Sequence, residues 1–365
     1  MKLRLLLMTF VCLVLLRGQG PTFQEGDFRG RKAYILENSQ MRVTALRGGG
    51  HLAEIRLKTG DPLKDVNPMR IPHYPTIEPY AYEPARHDSL YGSDPHRWLS
   101  SGYMGHLLCF PQFGPPSAAE AVVGLGNHGE APIVEWKPQG SAAQGDTVQF
   151  RYAADLPRTQ YRVWRTLTLR EGETMLNVEE WVENMAPMDR PINWVQHATF
   201  GPPFIAPGKS YLDVSKVKAA FGGGPVPREF TGTPGTGAYT AMLLDPAVAE
   251  SWFTVYNPDY RVLIGYLFPT ADNPWIADWQ ENQRAKQKPW DGRAIARGVE
   301  FGTTPLAEGL RKSVERATML GAPTYRWIGA RQSLRTTFTI FLHEIPAGFS
   351  GVKAVQRTAG AIQIK

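Results

Sequence analysis

Two islands of this 365-residue chain carry residue types that can move protons. Asn193-Trp194-Val195-Gln196-His197-Ala198-Thr199-Phe200-Gly201 sets a histidine just after an apolar step, and Arg297-Gly298-Val299-Glu300-Phe301-Gly302 sets a glutamate between valine and phenylalanine. An imidazole and a carboxylate held close together suit general acid–base work. If the second island is a strand, Val299 and Phe301 face one side and Glu300 the other. Each residue alone also has a plainer reading. A histidine in a β-protein is more often a hydrogen-bonded structural residue than a catalyst. A glutamate between apolar neighbours is often the solvated face of an edge strand.

A third island reads Phe110-Pro111-Gln112-Phe113-Gly114-Pro115-Pro116, followed by Asn127-His128-Gly129-Glu130-Ala131 and Trp136. It places His128 beside a glycine in a loop, close to the Gln112 and Asn127 amides and to aromatic rings. Such a loop suits a ring that is apolar on its faces and polar at its rim, as a sugar is. Further aromatic platforms stand in Pro274-Trp275-Ile276-Ala277-Asp278-Trp279-Gln280-Glu281-Asn282 and in Pro289-Trp290-Asp291. Trp279, with Asp278 beside it, is the expected ligand-holding pair, although core packing accounts for many of the ten tryptophans.

The elements that must position these residues are strands. Alternation with period two runs through 42–46, 51–57, 147–152, 161–169, 175–182 and 336–342. The stretch Arg170-Glu171-Gly172-Glu173 reads as a hairpin turn. Helical patterning is scarce, with 307–316 either a short helix or a polar connection. Thirty prolines and 36 glycines punctuate the strands, so the chain reads as all-β: a large antiparallel sandwich with few short helices, one domain over 21–365. Residues 61–98 stand apart. They hold seven prolines, three histidines and several tyrosines with little alternation, and read either as a stiff surface loop or as a loop lining a ligand cleft.

Composition bounds the partners. Met1-Lys2-Leu3-Arg4 precedes an apolar run over 5–16 broken only by Thr9, shorter than the roughly 20 residues that span a bilayer. We read 1–20 as an export signal, which implies a periplasmic or extracellular protein. Arg17-Gly18-Gln19-Gly20 lacks a clean small-x-small cleavage site, so an uncleaved anchor is the other reading. Without Lys2, Arg4 and Arg17 the formal charge falls from +6 to +3. No run of five like charges remains, so no nucleic-acid partner is expected. Cys109 is then the sole cysteine, which excludes an internal disulfide and a cysteine-based metal site. Nothing in the sequence sets the oligomeric state.

Taken in order, the three islands resemble the galactose-mutarotase superfamily, which includes aldose 1-epimerases and hexose-6-phosphate 1-epimerases. The Phe-Pro-x-Phe-Gly and His-Gly-x-Ala-x-x-x-x-Trp pieces are most similar to the hexose-phosphate branch. Gln196-His197-Ala198-Thr199-Phe200 resembles the strand carrying the family's general acid, and Gly298-Val299-Glu300-Phe301 the late strand carrying its general base. The resemblance implies a β-supersandwich with a sugar cleft on one face, binding a mono- or oligosaccharide. It implies that His197 protonates the ring oxygen, that Glu300 takes the anomeric proton, and that His128 holds sugar hydroxyls. It implies neither a metal nor an organic cofactor. A non-catalytic carbohydrate-binding module, or a lyase or hydrolase using Asp278, Glu281 or Asp291 beside Glu300, are the other readings.

Departures from the hexose-phosphate pattern bear on the ligand. Pro132 and Tyr103 stand where that branch is expected to carry arginines, and neither can make the bidentate bonds that favour phosphate. Glu130, inside the His-Gly-x-Ala piece, suits neutral hydroxyls and repels phosphate. An uncharged sugar is therefore the expected ligand.

Overall fold

The computed structural model describes residues 20–221, 228–358 and 360–365. All of the expected export segment but Gly20 lies outside the described residues.

Six period-two runs anticipated from the sequence are strands, and two antiparallel sheets dominate. The larger has eight strands, in the order Tyr211–Val214, Glu250–Asn257, Val262–Pro269, Ser333–Glu344, Met175–Asn184, Tyr161–Arg170, Thr147–Leu156 and Lys137–Gln144. The other has six, in the order Val217–Ala220, Thr236–Leu244, Trp275–Asn282, Ile295–Gly302, Val195–Phe200 and Leu107–Cys109. A four-stranded meander from Thr22–Phe28 to Leu52–Leu57 packs beside them, with Phe23 stacked on Phe150 at a centroid separation of 4.4 Å. The 307–316 segment holds a helix, Leu310–Arg316. No described helix is long and apolar enough to cross a membrane.

The core lies between the two large sheets. Ala198, Phe200, Met242, Ile276, Val299 and Phe301 from the six-stranded sheet join Phe253, Val255, Ile264, Tyr266, Phe338 and Ile340 from the eight-stranded one. Phe301 stacks on Phe268 at 4.2 Å and also meets Phe253 and Phe338. Strand parity makes this the inner face, so the residues between those named point outward.

Parity also corrects one expectation. Asp278 lies between Ala277 and Trp279, so it shares the inner face with Ile276, away from Trp279. It is fully buried and accepts two hydrogen bonds from Arg297, at 2.7 and 3.0 Å. A third comes from Gln280 Nε2 at 2.7 Å. Asp278 is thus part of the packing between the sheets and not a ligand-holding residue. Removing one partner of a buried, hydrogen-bonded ion pair typically costs about 3–5 kcal/mol. Asp278→Ala should lower the unfolding free energy by about 3 kcal/mol or more, read from the urea midpoint.

Residues 61–98 are not one structureless loop. They contain a 3₁₀ turn, Pro79–Ala81, and an α-helix, Pro84–Tyr91, followed by a short helix, Arg97–Gly102. The segment is fastened at several points. Glu78 accepts from the Arg31 guanidinium at 3.2 Å and from the Lys32 amide at 2.9 Å. Tyr91 is buried and donates to the Pro75 carbonyl.

Candidate active site

His197 and Glu300 meet because their strands pair in register. Val195–Phe200 and Ile295–Gly302 are adjacent antiparallel strands in which His197 and Glu300 are directly opposed. Both point to the outer face, since Val299 and Phe301 enter the core. Both are about 4% exposed, and His197 Nε2 lies 2.9 Å from Glu300 Oε1. They share a cavity of about 270 Å³ with His128, Asn127, Tyr103, Tyr239, Trp279, Glu281 and Trp290.

A hydrogen-bonded chain fixes the pair. The Thr199 hydroxyl is 2.8 Å from His197 Nδ1, and the Tyr103 hydroxyl is bonded to Thr199 Oγ1. On the other side, Tyr239 OH lies 3.1 Å from Glu300 Oε2 and 2.8 Å from the Pro305 carbonyl, so its proton is shared between them. Burial raises both tyrosine pKa values, and the Glu300 carboxylate raises that of Tyr239 further. Each therefore stays a hydrogen-bond donor across the physiological range. With Nε2–H directed at Glu300, His197 accepts at Nδ1 from Thr199. A doubly protonated ring is served equally well once the two hydroxyls rotate.

His128 enters from the loop island. Its backbone is left-handed, with φ 66°, and the next residue is Gly129 with φ 88°. A Cβ on Gly129 would fall 2.3 Å from the Phe110 carbonyl oxygen, so the turn demands glycine. His128 Nδ1 accepts from the Gly114 amide at 3.1 Å, and the ring stacks on Phe113. Burial, and then the neighbouring His197 and His96, hold its pKa well below the ordinary histidine value. The ring is therefore neutral, with Nε2–H left to donate to a ligand.

Gly298 makes room for the centre. It lies two residues before Glu300 on the same outward face, and a Cβ there would fall 2.7 Å from His197 Cε1 and 2.9 Å from Trp279 Cε3. The imidazole and indole rest over a strand position that has no side chain. A displacement of about 1 Å in a reacting group can cost about 100-fold. We expect Gly298→Ala to lower any turnover by roughly that factor while far-ultraviolet circular dichroism stays unchanged.

Of the remaining expected residues, Asn127 and Trp279 line the cavity. Gln112 and Glu130 do not. Gln112 is buried and donates to the Gly126 carbonyl at 3.3 Å, tying the two halves of the loop island together. Glu130 is fully buried and its carboxylate is occupied. Oε2 accepts from the Thr159 amide and hydroxyl, at 2.9 and 2.8 Å, and Oε1 from the Arg158 amide at 3.1 Å. It closes the turn after Leu156 and is not available to hydroxyls of a ligand. From 61–98 only His96 reaches this cavity, while Tyr80, Tyr82 and Trp98 line a different one.

Tyr239 and Thr199 were not anticipated. Thr199 was legible, being two residues after His197 on the same strand face. Tyr239 carries no local signal, because the pairing of Thr236–Leu244 with Trp275–Asn282 brings it to Trp279 and so to the cavity. Among the carboxylates considered beside Glu300, Asp278 is on the other face and Asp291 is not in the cavity wall. Glu281 lines the cavity, but its Oε1 caps the Arg284 and Ala285 amides. Among the described residues no cluster of three or more His, Cys, Asp or Glu is placed to hold a metal ion.

No protein-family profile matches the chain, and no curated protein matches it by sequence. Solved structures share its fold. A candidate aldose 1-epimerase from Klebsiella pneumoniae subsp. pneumoniae is 14% identical, with 86% of this chain and 79% of that chain covered and a TM-score of 0.63. A galactose mutarotase-like protein from Clostridium acetobutylicum is 12% identical, with 89% and 99% covered and a TM-score of 0.59. A galactose mutarotase related enzyme from Lactobacillus acidophilus is 11% identical, with 86% and 99% covered and a TM-score of 0.51. At these identities the likeness speaks for the fold. The chain has the galactose mutarotase-like fold.

Proposed function

We propose that this protein is an isomerase of the aldose 1-epimerase type, interconverting the anomers of a neutral sugar by ring opening. The observation that carries the reading is the His197–Glu300 pair, 2.9 Å apart on one wall of a sugar-sized cavity. In a cyclic sugar the ring oxygen and the anomeric hydroxyl are bonded to one carbon. A proton donor and a proton acceptor side by side can address both at once.

In this reading the sugar exchanges the mutual His197–Glu300 bond for one bond to each. Glu300 takes the proton of the anomeric hydroxyl as His197 gives its Nε2 proton to the ring oxygen, and the C1–O5 bond breaks to leave the aldehyde. For this transfer His197 starts doubly protonated, with Nδ1–H given to the Thr199 hydroxyl, and is left as the neutral Nδ1–H ring. C1 turns about its bond to C2. Closure on the other face returns the proton from Glu300 to the new hydroxyl and that of the ring-oxygen hydroxyl to His197. His128 and Asn127 are suited to hydroxyl contacts, and Trp279 to covering an apolar face of the ring. A positioned acid and base contribute about 10²–10⁴-fold each, enough for a reaction that already proceeds in water.

A neutral ligand is favoured by Glu281 and Glu300, both buried in the cavity wall, while Arg284 and Lys288 are exposed at its mouth. Lys288 Nζ is engaged with the Ser89 carbonyl at 2.6 Å. The test is to add purified protein to fresh α-anomers of several aldoses, their 6-phosphates and their uronates, and to follow optical rotation. We expect acceleration for a neutral aldose and less for its charged counterparts. Folded protein that accelerates none of them sinks the reading. Glycan binding that survives both His197→Ala and Glu300→Ala, with no turnover in the parent, would favour a binding protein instead. Export is also proposed, on the cationic and apolar leader at 1–20. Recovery of the full-length protein in the cytosolic fraction would contradict it.

A further inference from the structure

We propose that the cleft beneath the aromatic turn at 79–82 is a second carbohydrate site, taking a neutral oligosaccharide and separate from the His197 cavity. It encloses about 360 Å³, within the range of roughly 300–1,000 Å³ common for small-molecule sites. Tyr80, Tyr82 and Trp98 from the 61–98 segment line it, opposite Arg158, Arg162 and Lys137. Tyr80 is 39% exposed. Among the described residues its hydroxyl has no hydrogen-bond partner. Rings with apolar faces beside a rim of donors and acceptors are what a sugar needs.

Charge points to an uncharged ligand. Each cation of the cleft has a carboxylate within 4 Å: Arg158 with Glu130 at 3.5 Å, Arg162 with Asp155 at 3.6 Å, and Lys137 with Glu135, which also binds Arg47, at 3.7 Å. These separations are long for ion pairs, so the same groups retain hydrogen-bonding capacity for hydroxyls. The rings are also held in place before any ligand arrives. Pro79 is buried, Glu78 is tied to Arg31 and Lys32, and Tyr82 donates to Asp88 at 2.8 Å. A preformed platform spares the ordering cost that weakens binding by mobile loops. The short helix Arg97–Gly102 separates the two sites, with Trp98 on this cleft and Leu99 and Ser100 on the His197 cavity.

The site does not depend on turnover at His197, so it is tested in the full chain carrying His197→Ala and Glu300→Ala. The probes are maltohexaose, cellohexaose, mannohexaose and xylohexaose, titrated calorimetrically. We expect at least one hexasaccharide to bind, and its affinity to fall about tenfold with the added Tyr80→Ala or Arg162→Ala. Trp279→Ala should leave that affinity unchanged. Binding of none of the four overturns the proposal. So does binding that Trp279→Ala abolishes and both cleft substitutions spare, which would locate it in the His197 cavity. Failure of the isomerase reading shows separately, as absence of anomer interconversion by the parent protein.

Discussion

Glu300→Gln should lower kcat/KM for anomer interconversion by about 10³-fold, in the middle of the range for a general base. The substitution nearly preserves shape. Its amide can still take the Tyr239 hydrogen bond that now reaches Glu300 Oε2, and the strand pairing with His197 is a backbone matter. What is lost is the ability to accept the proton of an anomeric hydroxyl. The measurement is anomer exchange by optical rotation or proton exchange spectroscopy, with the buffer rate subtracted and folding checked by circular dichroism. A fall of less than tenfold would mean that the proton acceptor is elsewhere, and Glu281, the other carboxylate in the wall, would be the next candidate.

Acid should destabilise this protein well before its carboxylates titrate. Three histidines are buried and held neutral. His51 is pushed down to about 3, chiefly by burial, while His106 and His128 are pushed well below their ordinary value by the same cause. Geometry agrees for His128, whose Nδ1 accepts from the Gly114 amide, whereas in His51 it is burial that outweighs bonds to backbone carbonyls, which favour the proton. A ring nitrogen that accepts an N–H cannot also carry a proton. Below an unfolded pKa near 6.5 the unfolded chain gains protons that the folded chain refuses, so stability falls as pH falls. Each such histidine contributes up to about 1.4 kcal/mol per pH unit. Between pH 6 and 5 all three act in the same direction, against a typical total stability of about 5–15 kcal/mol. Urea unfolding from pH 7.5 to 5 reads this directly. A flat profile across that interval would show that the three rings titrate as freely in the folded state as in the unfolded one.

The strands and the sandwich were legible because burial of one sheet face writes an alternation into the sequence, as in Tyr161–Arg170 and Met175–Asn184. The orientation of Glu300 was legible for the same reason, from Val299 and Phe301. The same parity along Trp275–Asn282 sets Asp278 on the opposite face from its neighbour Trp279, which faces the cavity. Glu130 misled because its carboxylate meets Arg158 and Thr159, partners 28 and 29 positions away that no local pattern announces. Tyr239 was hidden for a related reason, its place being set by pairing across the sheet. Residues 61–98 were marked as unusual by composition, but which cavity their rings serve depends on long-range fastening through Arg31. Local chemistry showed in the sequence, and contacts between distant segments did not.

The opposition of His197 and Glu300 within a ladder has a consequence for how such a protein can change. Their separation is set by backbone hydrogen bonding between two interior strands of a sheet, an arrangement that neither loop length nor loop sequence perturbs. Trp279 apart, most of the wall that would choose a ligand comes from elsewhere, from the turn at 284–290 and from segments between residues 96 and 128. Reactivity and selectivity are thus carried largely by separable stretches of chain, with Tyr103 linking them through its bond to Thr199. Exchanging that wall while keeping Tyr103 is a route to new ligands that leaves the proton-moving pair and its support standing.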